Sequence, residues 1–221
     1  MKNLYIIGAG GFGREVAWCV ERINEVTPTW KIKGFIDDDE TKWGAKEDEY
    51  LVLGGCEYLK QQNDAYAVCA VGNAKVRRQI IGKLSGSGVL FATIVDPSVI
   101  LSKRISIGEG TIICAGTIVT VDISIGKHVI INLDCTLGHD DVIEDFVTIY
   151  PSVNVSGNVM VGECSELGTG AQVIQGKKIV KNTIVGAGAV VIKDVIESGI
   201  YVGCPAKKIT NLYDNGLNVE G

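Results

Sequence analysis

From Val95 to Val191 an Ile, Val or Leu stands at every sixth residue without a break. A period of six is neither the 3.6 of an amphipathic helix nor the alternation of a half-buried strand. It is the hexapeptide repeat of a parallel β-helix, whose rungs bury their apolar faces only against neighbouring rungs. With the aliphatic residue counted as place one, place five is small or β-branched in most hexads, from Val99 and Thr111 to Ala189. Places one and five therefore point into the lumen. Asp141 and Lys177 break the rule at place five and predict local distortion of their coils. Place two is Gly108, Gly126, Gly138, Gly162, Gly168 and Gly186, and Asn132 once. Glycine is expected there because a corner either excludes a side chain or needs a positive φ.

Before residue 94 the pattern differs. Apolar runs at Leu4–Ile7, Ile32–Ile36 and Tyr66–Val71 predict strands, while helical spacing predicts helices over Arg14–Ile23 and Val76–Leu84. Alternating strands and helices imply an α/β unit with a parallel sheet and ligands at the carboxyl ends of its strands. Gly8-x-Gly10-x-x-Gly13 follows the first strand, with Asp37 and Asp38 after the second, as in a dinucleotide fingerprint. The predicted division is a Rossmann-like nucleotide-binding domain over 1–93, a β-helix over 94–209 and a polar tail over 210–221.

The chain has 221 residues, 46% of them hydrophobic, enough for a sizeable core. A net charge of −5 argues against nucleic acid as partner. No apolar run has the roughly eighteen residues a membrane span needs, and Gly8, Gly10, Gly11 and Arg14 interrupt the apolar N-terminus. Neither membrane insertion nor a signal peptide is expected. Seven cysteines without a C-x-x-C pair are expected to be reduced thiols of a cytoplasmic protein. The two histidines, His128 and His139, are too few for a catalytic zinc site, and no metal is expected.

The segments IIGAGGFGREV, FIDDD, AVGN, NLDCTLGHDD and YVGCPAKKI, joined by an uninterrupted hexapeptide domain, resemble the bacterial sugar acyltransferases. These group the sialic acid O-acetyltransferases with the UDP-4-amino-sugar N-acetyltransferases of bacillosamine synthesis. The resemblance runs from Tyr5 to Ile209. It implies a left-handed β-helix, a homotrimer, acetyl-CoA as co-substrate, and a free or nucleotide-linked sugar of surface-glycan synthesis as acceptor.

Direct acyl transfer from a thioester needs a base to take the proton of the attacking amine or hydroxyl, and a neutral imidazole serves. His139 sits just outside the coil at place three, and read alone it is equally an exposed residue of a solenoid wall. The resemblance makes it the catalytic base, with Asp140 orienting it, Asn132 as the matching asparagine and the Gly157 N–H as oxyanion donor. For coenzyme A it implies Gly168, Thr169, Gly186 and Ala187 along a subunit groove, with Lys193, Lys207 and Lys208 toward the phosphates. His128 has no matching role and is expected on the surface. For the acceptor it implies Gly8, Gly10, Gly11, Phe12, Gly13, Asp37, Asp38, Gly72 and Asn73. It also places Thr148, with Phe12, in the acceptor region, where the bacillosamine-type enzymes have histidine at both positions, so poor use of that amino sugar is expected. The alternatives are O-acetylation of a free nonulosonic sugar and a non-catalytic nucleotide-sugar-binding trimer.

Overall fold

The computed structural model describes residues 1–209, so the predicted tail over 210–221 lies outside the described residues. The chain opens with β1 (Lys2–Ile7), α1 (Gly11–Val26), β2 (Trp30–Ile36), β3 (Lys46–Glu47) and β4 (Tyr50–Gly54). It continues with α2 (Cys56–Lys60), β5 (Tyr66–Cys69), α3 (Ala74–Lys83) and β6 (Leu90–Phe91). The strands form one sheet in the order β3-β4-β2-β1-β5-β6, parallel except at β3. Short β3, β4 and α2 extend the elements expected from sequence. Gly13 lets α1 close onto the sheet, because a Cβ there would strike the Gly8 carbonyl. Val16, Ala17 and Val20 of α1 fill one face, and Leu59 of α2 with Ile80 and Ile81 of α3 cover the other.

Ile94–Val95 is the first rung of a left-handed parallel β-helix. Three sheets form its triangular section. The first face runs through Ile112–Ile113, Ile130–Ile131, Thr148–Ile149, Glu166–Leu167 and Ile184–Val185, and the N-terminal unit packs on it. The second carries Ile118–Val119, Thr136–Leu137, Asn154–Val155, Gln172–Val173 and Val190–Val191. The third carries Ile123–Ile125, Val142–Ile143, Met160–Val161 and Lys178–Ile179. Register repeats every eighteen residues, as in the pairing of Ile112 with Ile130 and of Ile130 with Thr148. Places one and five line the lumen, where Leu137, Val153, Leu167 and Ala171 are fully buried.

Of the two reasons expected for corner glycines, lack of space holds and positive φ does not. Positive φ lies at place four, in Asp122, His128, Asp134, Asp140, Phe146, Ser152, Asn158, Cys164 and Asn182. Place-two glycines answer to space instead: a Cβ on Gly168 would come within 2.6 Å of the Ala187 amide. Asp141 does not distort its coil either. It is completely buried, and Val142–Ile143 stays in register with both neighbouring rungs. Regularity does fail beyond Lys177, where Ile179 bridges to Val195, two residues short of the usual spacing.

Candidate active site

The carboxyl ends of β1, β2 and β5 bound a cavity of about 310 Å³ lined by Gly8, Asp37, Asp38, Gln79 and Lys83. Asp37 follows directly from β2, and its Oδ2 accepts from the Ala9 amide at 3.1 Å and from Lys42 Nζ at 3.0 Å. Burial opposes its charge, but the Asp39 amide, Lys42 and the Ala9 amide together hold the carboxyl below the usual range. Lys83 at 2.7 Å and then the Cys56 amide at 2.8 Å lower Asp38 in the same way. Both are carboxylates at neutral pH, so the cavity favours a ligand edge rich in N–H donors. The Gly10-Gly11 turn starts the sixteen-residue α1, where among the described residues no side chain caps the helix, and the positive end of the helix dipole there is suited to phosphate. Asn73 caps α3, accepting from the Val76 amide at 3.0 Å. Gly10, Gly11, Phe12, Gly13, Gly72 and Asn73 lie outside the cavity wall. Lys42, Gln79 and Lys83 carry no motif and escaped sequence reading.

Arg77 of α3 is fully buried and bolts this unit to the β-helix. Its Nε donates to the His128 carbonyl at 2.8 Å, and Nη1 to those of Val71 and Gly72 at 2.7 and 3.0 Å. Nη2 donates to the Phe146 carbonyl at 2.8 Å and to Thr148 Oγ1 at 2.9 Å. Thr148 is 1% exposed, and its hydroxyl donates to the Gly72 carbonyl at 2.6 Å. The placement of Thr148 in the acceptor site is therefore corrected: its hydroxyl is consumed inside the interdomain contact. Glu166 adds a bond from the Ala74 amide at 2.9 Å. His128 is also corrected, from surface to interior. It stacks on Phe146 with centroids 5.1 Å apart and meets the edge of Phe91, and burial pushes its pKa down to about 4. Arg77 and His128 gave no signal in the hexad pattern, because each is fixed by the other domain.

His139 projects from the corner between the second and third faces, with its side chain 53% exposed. Its Nδ1 lies 2.7 Å from Asp140 Oδ2, which fixes Nε2 as the free nitrogen when the ring is neutral. One coil on, Gly157 passes beneath the ring, and a Cβ there would come within 2.6 Å of Nε2. Only a residue without a side chain leaves the imidazole in place. Among the described residues no acceptor takes the Gly157 N–H, whereas the following amide, Asn158, donates to the His139 carbonyl at 2.7 Å. The geometry joins an imidazole, a carboxylate that orients it and, among the described residues, an amide with no acceptor.

Asn132 is not part of this cluster within one chain. It stands at the corner between the first and second faces, 9% exposed, with Oδ1 accepting from the Leu133 amide. By the eighteen-residue register Gly168-Thr169 and Gly186-Ala187 occupy that same corner. Lys193 falls at the His139 corner, and Lys207 lies in the hairpin of Ile200–Val202 with Lys207–Ile209. Lys208 pairs with Glu197 at 2.9 Å. Among the described residues no cluster suited to a metal ion occurs, and no helix is long and apolar enough to cross a membrane.

Residues 3–84 match the PglD N-terminal domain family. The chain is 30% identical over 189 residues to GDP-perosamine N-acetyltransferase of Escherichia coli O157:H7, covering 84% of each chain. The acetyltransferase domain of PglB from Neisseria gonorrhoeae, solved with acetyl coenzyme A, superposes with a TM-score of 0.85 at 29% identity. That match covers 94% of this chain and 99% of the other. A variant of perosamine N-acetyltransferase from Caulobacter crescentus, in complex with CoA and GDP-perosamine, gives 0.87 at 29% identity over 96% and 98% of the two chains. The chain belongs to the hexapeptide-repeat bacterial sugar acyltransferases, and is an acetyltransferase of that family.

Proposed function

We propose that this protein transfers the acetyl group of acetyl-CoA to the amine of a nucleotide-linked sugar, with His139 as general base. The observation that carries the reading is the His139–Asp140 pair standing over the free amide of Gly157. The acceptor amine attacks the thioester carbonyl and gives a proton to His139 Nε2. Asp140 holds the ring and stabilises the imidazolium. The oxyanion takes the Gly157 N–H, a donor preset for charge that develops only in the transition state. Collapse breaks the carbon–sulfur bond, and the leaving thiolate recovers the proton from the imidazolium.

The two anionic carboxylates and the glycine turn of the N-terminal unit support a nucleotide diphosphate as the acceptor's handle. Two of the proteins named above are a GDP-perosamine N-acetyltransferase and a complex with GDP-perosamine, which supports an amino sugar in that place. The glycine-lined corner supports coenzyme A binding, with Lys207 of the same chain, and Lys193 from the His139 edge of a neighbouring chain, toward its phosphates. That corner and His139 lie at opposite edges of the second face. A homotrimer that sets one chain's His139 edge against a neighbour's glycine edge joins them, as cyclic symmetry allows.

Replacing the base tests the reading. His139→Ala is expected to lower kcat by about 10²–10⁴-fold, the contribution of a positioned general base, with little change in binding of acetyl-CoA or nucleotide sugar. Coenzyme A release at the wild-type rate would remove His139 from the mechanism.

A further inference from the structure

At place five the hydroxyls of Thr111, Thr117 and Ser165 make a repeated pair of bonds between coils, whereas that of Thr183, near the end of the regular coils, is buried without a partner. Thr111 Oγ1 accepts from the Val129 amide at 3.1 Å and donates to the Gly126 carbonyl at 2.9 Å. Thr117 Oγ1 accepts from the Cys135 amide at 3.3 Å and donates to the Asn132 carbonyl at 2.9 Å. Ser165 Oγ accepts from the Thr183 amide at 3.2 Å and donates to the Val180 carbonyl at 3.1 Å. Each time the acceptor's partner lies eighteen residues on, and the donor's partner fifteen.

Asp141 occupies place five of its hexad and makes the first bond of the pair. Its Oδ1 accepts from the Val159 amide at 2.9 Å. The carbonyl fifteen residues on belongs to Ser156, and it receives no donor among the described residues. Asp141 Oδ2 is buried without a donor to bind. A carboxylate cannot give a hydrogen bond, but a carboxylic acid can. The Ser156 carbonyl belongs to the same peptide unit as the Gly157 N–H beneath His139.

We propose that Asp141 is a positioning residue that works as a neutral acid, donating from Oδ2 to the Ser156 carbonyl while Oδ1 holds the Val159 amide. A hydrogen bond at that carbonyl fixes the Ser156–Gly157 peptide and polarises its N–H toward the developing oxyanion. This role rests on the acetyl-transfer reading above, although the titration behind it does not.

Burial raises the Asp141 carboxyl from 3.8 to about 7, against the lowering effects of the Val159 and Gly138 amides and of His139; Asp140 adds to the rise. Asp122, on the preceding coil, is spent at the surface on Arg104 at 3.0 Å. The following coil, from Gly157 to Met160, carries no charge, and Lys177 lies two coils on. The folded state therefore binds a proton that the unfolded state has released. Stability from this group is complete below about 3.8, is lost as pH rises through about 7, and then levels off.

Wild type, Asp141→Asn, Asp141→Thr and Asp141→Val are compared from pH 5 to 9 by thermal unfolding without ligand and by coenzyme A release. Asparagine can make both bonds at every pH, and threonine restores the hydroxyl pattern of Thr111 and Thr117. The wild-type melting temperature should fall by several degrees between pH 5 and 8 relative to both variants. Its kcat should decline above about pH 7, a decline absent from the Asn and Thr variants. The Val variant should lose about tenfold in kcat, the scale of one hydrogen bond, with KM for acetyl-CoA little changed. Parallel melting curves for wild type and both polar variants would overturn the titration, whether or not an acetyl acceptor has been found. An alkaline decline shared by the Asn and Thr variants, or a Val variant with wild-type kcat, would overturn the positioning role.

Discussion

Val153 and Asp141 stand at the same place of two hexads, yet only Asp141 has a free amide to bind. The Val159 N–H is committed to Asp141, whereas the corresponding amide above Val153, that of Ala171, already donates to the Gly168 carbonyl at 3.0 Å. Val153 is completely buried. Val153→Asp would leave an unpaired carboxyl in the lumen, at a cost of about 3–5 kcal/mol. The expected outcome is a large drop in soluble yield and melting temperature. A soluble variant that melts with wild type would show that Val153 does not face the lumen. His139 follows the converse logic, since its ring is usable because a glycine lies beneath it. Sequence could name His139, Asp140 and Gly157, but the contact between ring and glycine needed the register of two coils.

Among the elements, the contact between α3 and the first face of the β-helix couples the nucleotide unit to the acyl-transfer unit. Thr148 joins the Gly72 carbonyl, beside the cavity, to the Arg77 guanidinium. Thr148→Val removes that hydroxyl from a buried setting and should cost about 1–3 kcal/mol. The melting temperature should fall and KM for the nucleotide sugar should rise, with KM for acetyl-CoA unmoved. Thr148→His, which the bacillosamine-type enzymes suggest as a gain for their amino sugar, should instead disrupt the contact, because no space exists for a ring. Wild-type stability with a lower KM in that variant would contradict this account of Thr148. The hexads exposed the β-helix rungs because places one and five answer to a single local rule. They misplaced the turn, because positive φ at place four is accepted by residues as different as Asp140, Phe146 and Cys164. Arg77 and His128 were illegible for a different reason, since their surroundings come from residues far away in sequence.

At the scale of the whole molecule, the cavity of the N-terminal unit and the His139–Asp140 pair of the β-helix are held in one frame by the interdomain contact at Arg77. Arg22 reinforces it through Asp96 at 2.7 Å, linking α1 to the first coil. The fold class was legible throughout, because both halves repeat a local pattern. The cavity's polar wall was not, because Gln79 and Lys83 join Asp37 and Asp38 there only once the sheet and α3 have folded together. The most direct measurement is coenzyme A release from acetyl-CoA with GDP-linked and UDP-linked 4-amino sugars, the product being identified by mass. Thiol should appear in step with N-acetylated nucleotide sugar and only when a nucleotide-linked amine is present. Saturable binding of such a sugar with no thiol released above background, or acetyl found on a hydroxyl of a free sugar, would contradict the account.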